Sequence, residues 1–184
     1  MCTGLKFQVN SLPLCDVDDN AAQEPRWLDN AELDAWIPFS AMLMALPSAL
    51  DTQLRRDADL SLFGYMAMAG LSEAPGRTLP MSELAVLASG SLSRLSHAVS
   101  SLERRGWVRR GPCPGNARIT YATLTDAGYD KIEATAPGHV ETVRRLVLDS
   151  VTPDQLHTLG ALSVQILGAL GHPGAAQWPR KRSD

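Results

Sequence analysis

The chain holds three cysteines, Cys2, Cys15 and Cys113, in 184 residues. They are too few and too scattered for a disulfide framework, and no CxxC pair offers a zinc site, so reduced thiols and no bound metal are expected. His139, His157 and His172 share no metal-ligand spacing and read as structural or surface residues. HExxH, GxSxG, glycine-rich phosphate loops and paired-carboxylate motifs are all absent from the sequence, which argues against an enzyme and leaves no cofactor to expect. No apolar run approaches the roughly 20 residues that a membrane-spanning helix requires, and MCTGLKFQVNSLPLC at the start makes a poor signal peptide. A cytoplasmic protein with no membrane partner is the expectation. No solenoid-scale repeat is visible.

What is present is an ordinary globular composition, 45% hydrophobic and 20% charged, in a length suited to one good core. The net charge of −3 hides an asymmetry. Residues 77–118 carry seven arginines (Arg77, Arg94, Arg104, Arg105, Arg109, Arg110 and Arg118) against Glu83 and Glu103, a local +5 on a remainder of −8. A basic segment on an acidic body can hold a polyanion locally while the body stays soluble. Taken alone, such a cluster also reads as a solvated surface.

Residues 1–25 lack periodicity and are expected to form a disordered tail. Asp29 and Glu32 have capping-box spacing ahead of a helix bearing Leu33, Trp36, Ile37, Met42, Leu43, Leu46, Leu50 and Leu54, with kinks or restarts expected at Pro38 and Pro47. A second helix spans Leu60 to Leu71 with Ser61 as its cap, and Arg77 to Leu79 reads as a short strand. After residue 125, Thr125 caps a helix expected to break around Ala134–Gly138. Thr152-Pro153-Asp154-Gln155 starts a last helix that stops at Gly171-His172-Pro173. Residues 172–184 read as a flexible tail.

The stretch from Met81 to Thr125 organises the rest. Ser82 and Glu83 suit the first turn of a helix burying Leu84 and Leu87, and Gly90 supplies the backbone freedom of a tight corner. From Ser91 to Arg105, the three–four–three spacing of Leu92, Leu95, Val99 and Leu102 makes one narrow apolar stripe. The opposite face carries Ser93, Arg94, His97, Ser100, Ser101 and Arg104, whose small hydroxyls and cationic groups suit a nucleic-acid groove. Trp107–Arg110 and Ile119–Leu124 read as paired strands around a Gly/Pro hairpin loop, Gly111 to Arg118. Helix, turn, helix and β-hairpin in that order make a winged helix-turn-helix.

At Met81-Ser82-Glu83-Leu84-Ala85, Ser91-x-Ser93-Arg94-Leu95, Leu102-Glu103-x-x-Gly106-Trp107-Val108 and Asn116-x-Arg118…Leu124-Thr125, the sequence resembles the MarR family of transcriptional regulators. The similarity covers roughly residues 27–170. It implies a mostly α fold with a small β-wing, in which a winged helix-turn-helix at 57–125 joins terminal helices (26–56 and 126–171) interleaved as a dimerisation domain. It further implies a homodimer that binds a pseudo-palindromic double-stranded DNA operator, with recognition helices in major grooves about one helical turn apart. Carried over by position, Ser91, Ser93, Arg94 and His97 would face the major groove, Arg118 the flanking minor groove, and Arg109 and Arg110 the phosphates. His97 reads equally as an exposed polar helix residue.

The family pattern also departs at three places. Asn116 stands where the wing signature usually has Asp, Ser100 where the recognition helix usually has Asp, and His97 where a basic residue is common. Arg118 is therefore expected to be less pinned before DNA binds. Trp36, Phe39, Met42, Tyr65, Met66 and Met68 are candidates to line a crevice for a small apolar or phenolic effector, or simply to pack the core and dimer. The leading expectation is a ligand-responsive repressor. The alternatives are a protein-interaction module built on a winged helix and a thiol-based redox regulator using Cys113 or Cys15.

Overall fold

The computed structural model describes residues 25–113 and 116–172, except for the side chains of 113 and 116–118. The tails expected at either end therefore lie outside the described residues apart from Pro25 and His172, as do Cys2, Cys15 and the side chains of Cys113, Asn116 and Arg118. The elements run α1 (Asn30–Ala58), α2 (Leu62–Glu73), β1 (Thr78–Pro80), α3 (Met81–Leu87), α4 (Leu92–Arg104), β2 (Val108–Cys113), β3 (Asn116–Leu124), α5 (Asp126–Leu146) and α6 (Pro153–Ala169). This is the expected mostly helical winged fold. The chain divides into two compact units, Met1–Ile37 and Pro38–Asp184.

In the first unit the capping box is reciprocal. The Asp29 amide donates to Glu32 Oε2 at 3.0 Å and the Glu32 amide to Asp29 Oδ1 at 2.8 Å, so two otherwise orphaned donors are satisfied where α1 begins. Trp27, Leu28, Leu33, Trp36 and Ile37 are all exposed.

The second unit is built around α2. Ser61 caps it, its Oγ accepting from the Gly64 amide at 3.0 Å, and the Asp51 carboxylate of α1 takes the Leu62 amide at 2.8 Å. Leu54 of α1, Met68 and Leu71 of α2, Leu84 of α3, and Leu95 and Val99 of α4 are fully buried together. Val108, Ala122 and Leu124 from the sheet and Ile132 from α5 close this core. The sheet is antiparallel in the order β1-β3-β2, so β3 is central and the hairpin partner β2 is an edge.

Four expectations are corrected. No restart occurs at Pro38 or Pro47 in α1, and α5 runs through Pro137 without the expected break. A proline removes one donor from the ladder. In α5, Thr135 Oγ1 donates to the Lys131 carbonyl at 2.7 Å, and His139 meets Gln53 of α1 on the far side, so side-chain and tertiary contacts hold the helix across the gap. The wing strands are longer than expected. Gly111 pairs with Tyr121, Pro112 with Thr120 and, after a register shift, Cys113 with Asn116. Pro112 is tolerated because β2 is an edge strand. Leu92 is 54% exposed, not buried, because the first turn of α4 carries it past the core. Finally, an 18-residue window in α1 has a mean hydropathy of 1.3, so by length and composition α1 is long and apolar enough to cross a membrane. Scanning for an unbroken apolar run misses it because serines, prolines and a threonine punctuate the helix.

Much of α1 and all of α6 lack cover. In α1 only Gln53, Leu54 and Ala58 are buried, and α6 buries no residue. Met42, Leu43 and Met44 on α1, with Leu156, Leu162, Val164 and Ile166 on α6, are exposed.

Candidate nucleic-acid interface

Helix α4 begins at Ser91, whose Oγ accepts from the Arg94 amide at 3.2 Å. It ends at Arg105, followed by Gly106 at φ +75°. With Leu95, Val99 and Leu102 buried, the helical period of 3.6 residues turns Ser93, His97 and Arg104 outward, and all three are exposed. Of the polar face expected from the sequence, these three are exposed, whereas Ser100 and Ser101 are half-buried.

The flanks of α4 are braced. On one side Arg94 lies over the Phe63 ring at 4.3 Å from the centroid, a cation–π contact that ties α4 to α2. Ser101 shares that flank, lining a cleft of about 190 Å³ with Arg55, Asp59, Ser61 and Arg105. Arg105 donates through Nη1 to the Asp59 carbonyl at 2.6 Å and pairs through Nη2 with its carboxylate at 2.9 Å, pinning the α1–α2 corner, where Asp59 adopts φ +52°.

On the other flank the wing is fastened. Glu103 accepts from the Arg110 amide through Oε1 and from Arg110 Nε through Oε2, both at 2.8 Å. Arg110 Nη2 also donates to Ser100 Oγ at 3.0 Å and Nη1 to Ser96 Oγ at 3.4 Å. The Arg110 hydrogen bonds hold the Glu103 carboxyl below its usual range, against the opposing effect of partial burial. The Arg110 guanidinium, expected to meet a phosphate, is drawn onto α4 in the free chain. Between α3, α4 and the wing lies a cleft of about 330 Å³ lined by Met81, Ser82, Leu92, Ser96, Arg110, Ile119 and Thr120, into which Leu92 turns.

The basic island therefore separates into two groups. Arg77 pairs with Asp126 at 2.9 Å and stacks on Tyr129 at 3.8 Å, while Arg94, Arg105 and Arg110 are engaged as above. Arg104 and Arg109 are exposed and make no ion pair among the described residues, so they remain available for an external anion. The Arg118 side chain, and with it the expectation of a loosely held wing arginine, lies outside the described residues.

Three participants were not singled out from sequence: Phe63, Ser96, and Glu103 as an anchor. Glu103 had a readable signal, being one of two acids within the basic segment. The Phe63–Arg94 contact joins separate helices and leaves none. Gly90 is required for a different reason from the one expected. The left-handed residue at the corner is Ser89, at φ +53°, whereas a Cβ on Gly90 would come within 2.5 Å of the Phe63 ring. Among the candidate effector residues, Met68 is wholly enclosed in the core and Tyr65 is buried against His139 with ring centroids 4.5 Å apart. Met66 packs partly buried against the core, Phe39 is half-buried, and Trp36 and Met42 are exposed.

The fold is shared with known proteins. The structure is similar to that of Sco3205, a MarR family transcriptional regulator from Streptomyces coelicolor solved in complex with DNA. The TM-score is 0.77 and the identity 44%, over 85% of this chain and 97% of that one. The chain belongs to the MarR family of transcriptional regulators. AbsC, another MarR family regulator from Streptomyces coelicolor, is similar at 33% identity and a TM-score of 0.75, over 80% of this chain and 99% of its own. The transcriptional repressor MprA of Escherichia coli is 24% identical over 97 residues, which span about half of either chain, 52% of this one and 55% of MprA. No family model matches the sequence.

Proposed function

We propose that this MarR-family chain is a repressor that binds a pseudo-palindromic double-stranded DNA operator as a cytoplasmic homodimer. The observation that carries the reading is the outer ridge of α4. Ser93, His97 and Arg104 stand exposed on a helix braced on both flanks, with Arg109 unpaired on the adjacent wing strand. Small hydroxyls let the helix approach base edges, His97 and Arg104 donate hydrogen bonds, and Arg109 meets a phosphate. The relative Sco3205, solved with DNA, supports the same use. Dimerisation is supported by the uncovered apolar faces of α1 and α6, the helices that the family interleaves.

A gel shift on DNA upstream of the chain's own gene tests this, with Arg94→Ala, His97→Ala, Arg104→Ala and Arg118→Ala. His97→Ala and Arg104→Ala are expected to weaken specific binding by about 1–3 kcal/mol each. Unchanged affinity in all four variants overturns the assignment of α4 and the wing as the readers.

The effector reading narrows to Phe39, Met42, Tyr65 and Met66, since the enclosed Met68 has no surface to offer. A small apolar or phenolic effector that prefers a different spacing of the two recognition helices weakens DNA binding, and DNA weakens its binding by the same factor. Titration of a phenol series against the free and the DNA-bound dimer measures both sides of that cycle. Equal affinity for the two forms rules such an effector out.

A further inference from the structure

Arg94 is held differently from the other engaged arginines. Arg77, Arg105 and Arg110 commit guanidinium N–H groups to carboxylates. The exposed Arg94 instead stands over the half-buried Phe63, with Cζ 4.3 Å from the ring centroid, and its side chain makes no hydrogen bond or ion pair among the described residues. The ring attracts the charge but supplies no acceptor atom for any of the five guanidinium N–H donors. Arg94 is thus positioned while its donors stay open.

Four elements build this seat. The Asp51 carboxylate of α1 accepts from the Leu62 amide at 2.8 Å, which fixes the start of α2 and with it Phe63. The second Asp51 oxygen accepts from Arg55 Nε at 2.5 Å, so both oxygens are taken and neither draws Arg94 off the ring. At the corner ahead of α4, Gly90 leaves open the space a Cβ would fill, 2.5 Å from the Phe63 ring and 3.7 Å from Arg94 Cδ. The Ser91 cap makes Arg94 the third residue of α4, in its first turn. A cation there opposes the positive end of the helix dipole, so the position does not serve the helix itself.

In helix-turn-helix docking the N-terminal residues of the recognition helix contact base edges. Guanine presents two neighbouring acceptors in the major groove, O6 and N7, and an arginine fork with open donors meets both at once. A guanidinium already settled on a ring has less freedom left to lose when it binds. We infer, on the DNA-binding reading above, that Arg94 reads a guanine in each half-site and that Phe63 is the positioning residue behind this specificity, without itself touching DNA.

The test is selection by the full chain from a library of duplexes with about 25 randomised base pairs, long enough for two half-sites one helical turn apart. Fluorescence anisotropy then follows on the selected duplex and its single-base variants, with Arg94→Ala, Phe63→Leu and Phe63→Tyr alongside the full chain. The full chain is expected to prefer guanine at one position per half-site by about 5- to 140-fold. Arg94→Ala should lose that preference and keep those at other positions. Phe63→Leu should lower it at the same position by about 2- to 5-fold, and Phe63→Tyr, which retains a ring, should keep it. Replacing the guanine by 7-deazaguanine, which lacks the N7 acceptor, should weaken binding by the full chain but make no further difference to Arg94→Ala.

An Arg94→Ala chain that still prefers the guanine, or that weakens on every duplex alike, overturns Arg94 as the reader. If Phe63→Leu weakens every duplex equally, or leaves the preference intact, Phe63 only packs the lobe and its positioning role falls. A full chain that enriches no sequence overturns the DNA-binding reading as well, whereas enrichment of a site without an Arg94-dependent guanine overturns the present inference alone.

Discussion

Glu103 accepts from both the backbone and the side chain of Arg110, and through them positions the whole of β2 against the recognition helix. In Glu103→Gln the amide can replace only part of this, and the variant is expected to lose about 1 kcal/mol of stability, the range for a half-exposed ion pair with hydrogen bonds. The pH dependence fixes the sign. The folded pKa of Glu103 is depressed, so its contribution is complete above the unfolded value of about 4.3 and is lost as pH falls through the folded one. Urea melts between about pH 3 and 6 should show a shallower acid limb in Glu103→Gln, and an unchanged limb would mean the pair is not coupled to folding. At Gly90, replacement by alanine forces the Phe63 ring away from a Cβ that would sit 2.5 Å from it. A loss of about 1–3 kcal/mol is expected from such overpacking. Gly90→Ala combined with Phe63→Leu should recover part of it, measured as the midpoint of thermal unfolding.

At the scale of elements, the junction of α1, α2 and α5 holds a small buried polar cluster. His139 of α5 is buried there, with Nδ1 3.2 Å from Gln53 Oε1 and its ring against Tyr65, while Gln53 Nε2 donates to Asp57 Oδ2 at 3.1 Å. Burial lowers the His139 pKa, and no charged group among these partners touches the imidazole directly. The unfolded chain takes up a proton near pH 6.5 and the folded chain only below it, so stability is full above about 6.5 and falls as pH descends toward the folded value. His139→Gln should flatten that slope between about pH 5 and 7, and a slope identical to that of the parent would assign it to another group. Gly128 is similarly constrained in the first turn of α5, where a Cβ would meet the Trp107 carbonyl oxygen at 2.1 Å. Because that neighbour is backbone, Gly128→Ala is expected to be more damaging than Gly90→Ala.

These elements differ in how far the sequence announces them. Caps and apolar spacing are local, which is why Ser61, Thr125 and Thr152 mark real helix starts and the four–three spacing of Leu95, Val99 and Leu102 identifies the buried side of α4. Strand length and helix continuity depend on partners distant in sequence. Gly111–Cys113 reads as loop until β3 pairs with it, and α5 reads as broken at Pro137 until Gln53 and α2 pack against it. The outer ridge of the candidate site was legible for the same local reason. Its bracing was not, because Arg94 on Phe63 and Arg105 on Asp59 join residues far apart in the chain.

On the scale of the molecule, the charge count has to be taken after pairing. Seven arginines in residues 77–118 imply a broad cationic surface, but four of them hold the lobe together, leaving Arg104 and Arg109 as the arginines of that segment without an ion pair among the described residues. The apolar faces of α1 and α6 likewise have no cover among the described residues. The double variant Leu162→Asp, Ile166→Asp places two charges one turn apart on α6 at positions that are 51% and 42% exposed, so the winged lobe itself should fold unchanged. Sedimentation equilibrium is expected to show a monomer, and operator affinity should fall by more than tenfold. A variant that remains dimeric would place the interface elsewhere.

The bare flank of α6 also bears on gene dosage. The dimer proposed above would have an active population set by mass action. Where the dimer is largely dissociated, halving synthesis lowers the dimer about fourfold. Control of the target would then tighten or lapse over a narrow range of expression, before any effector is present.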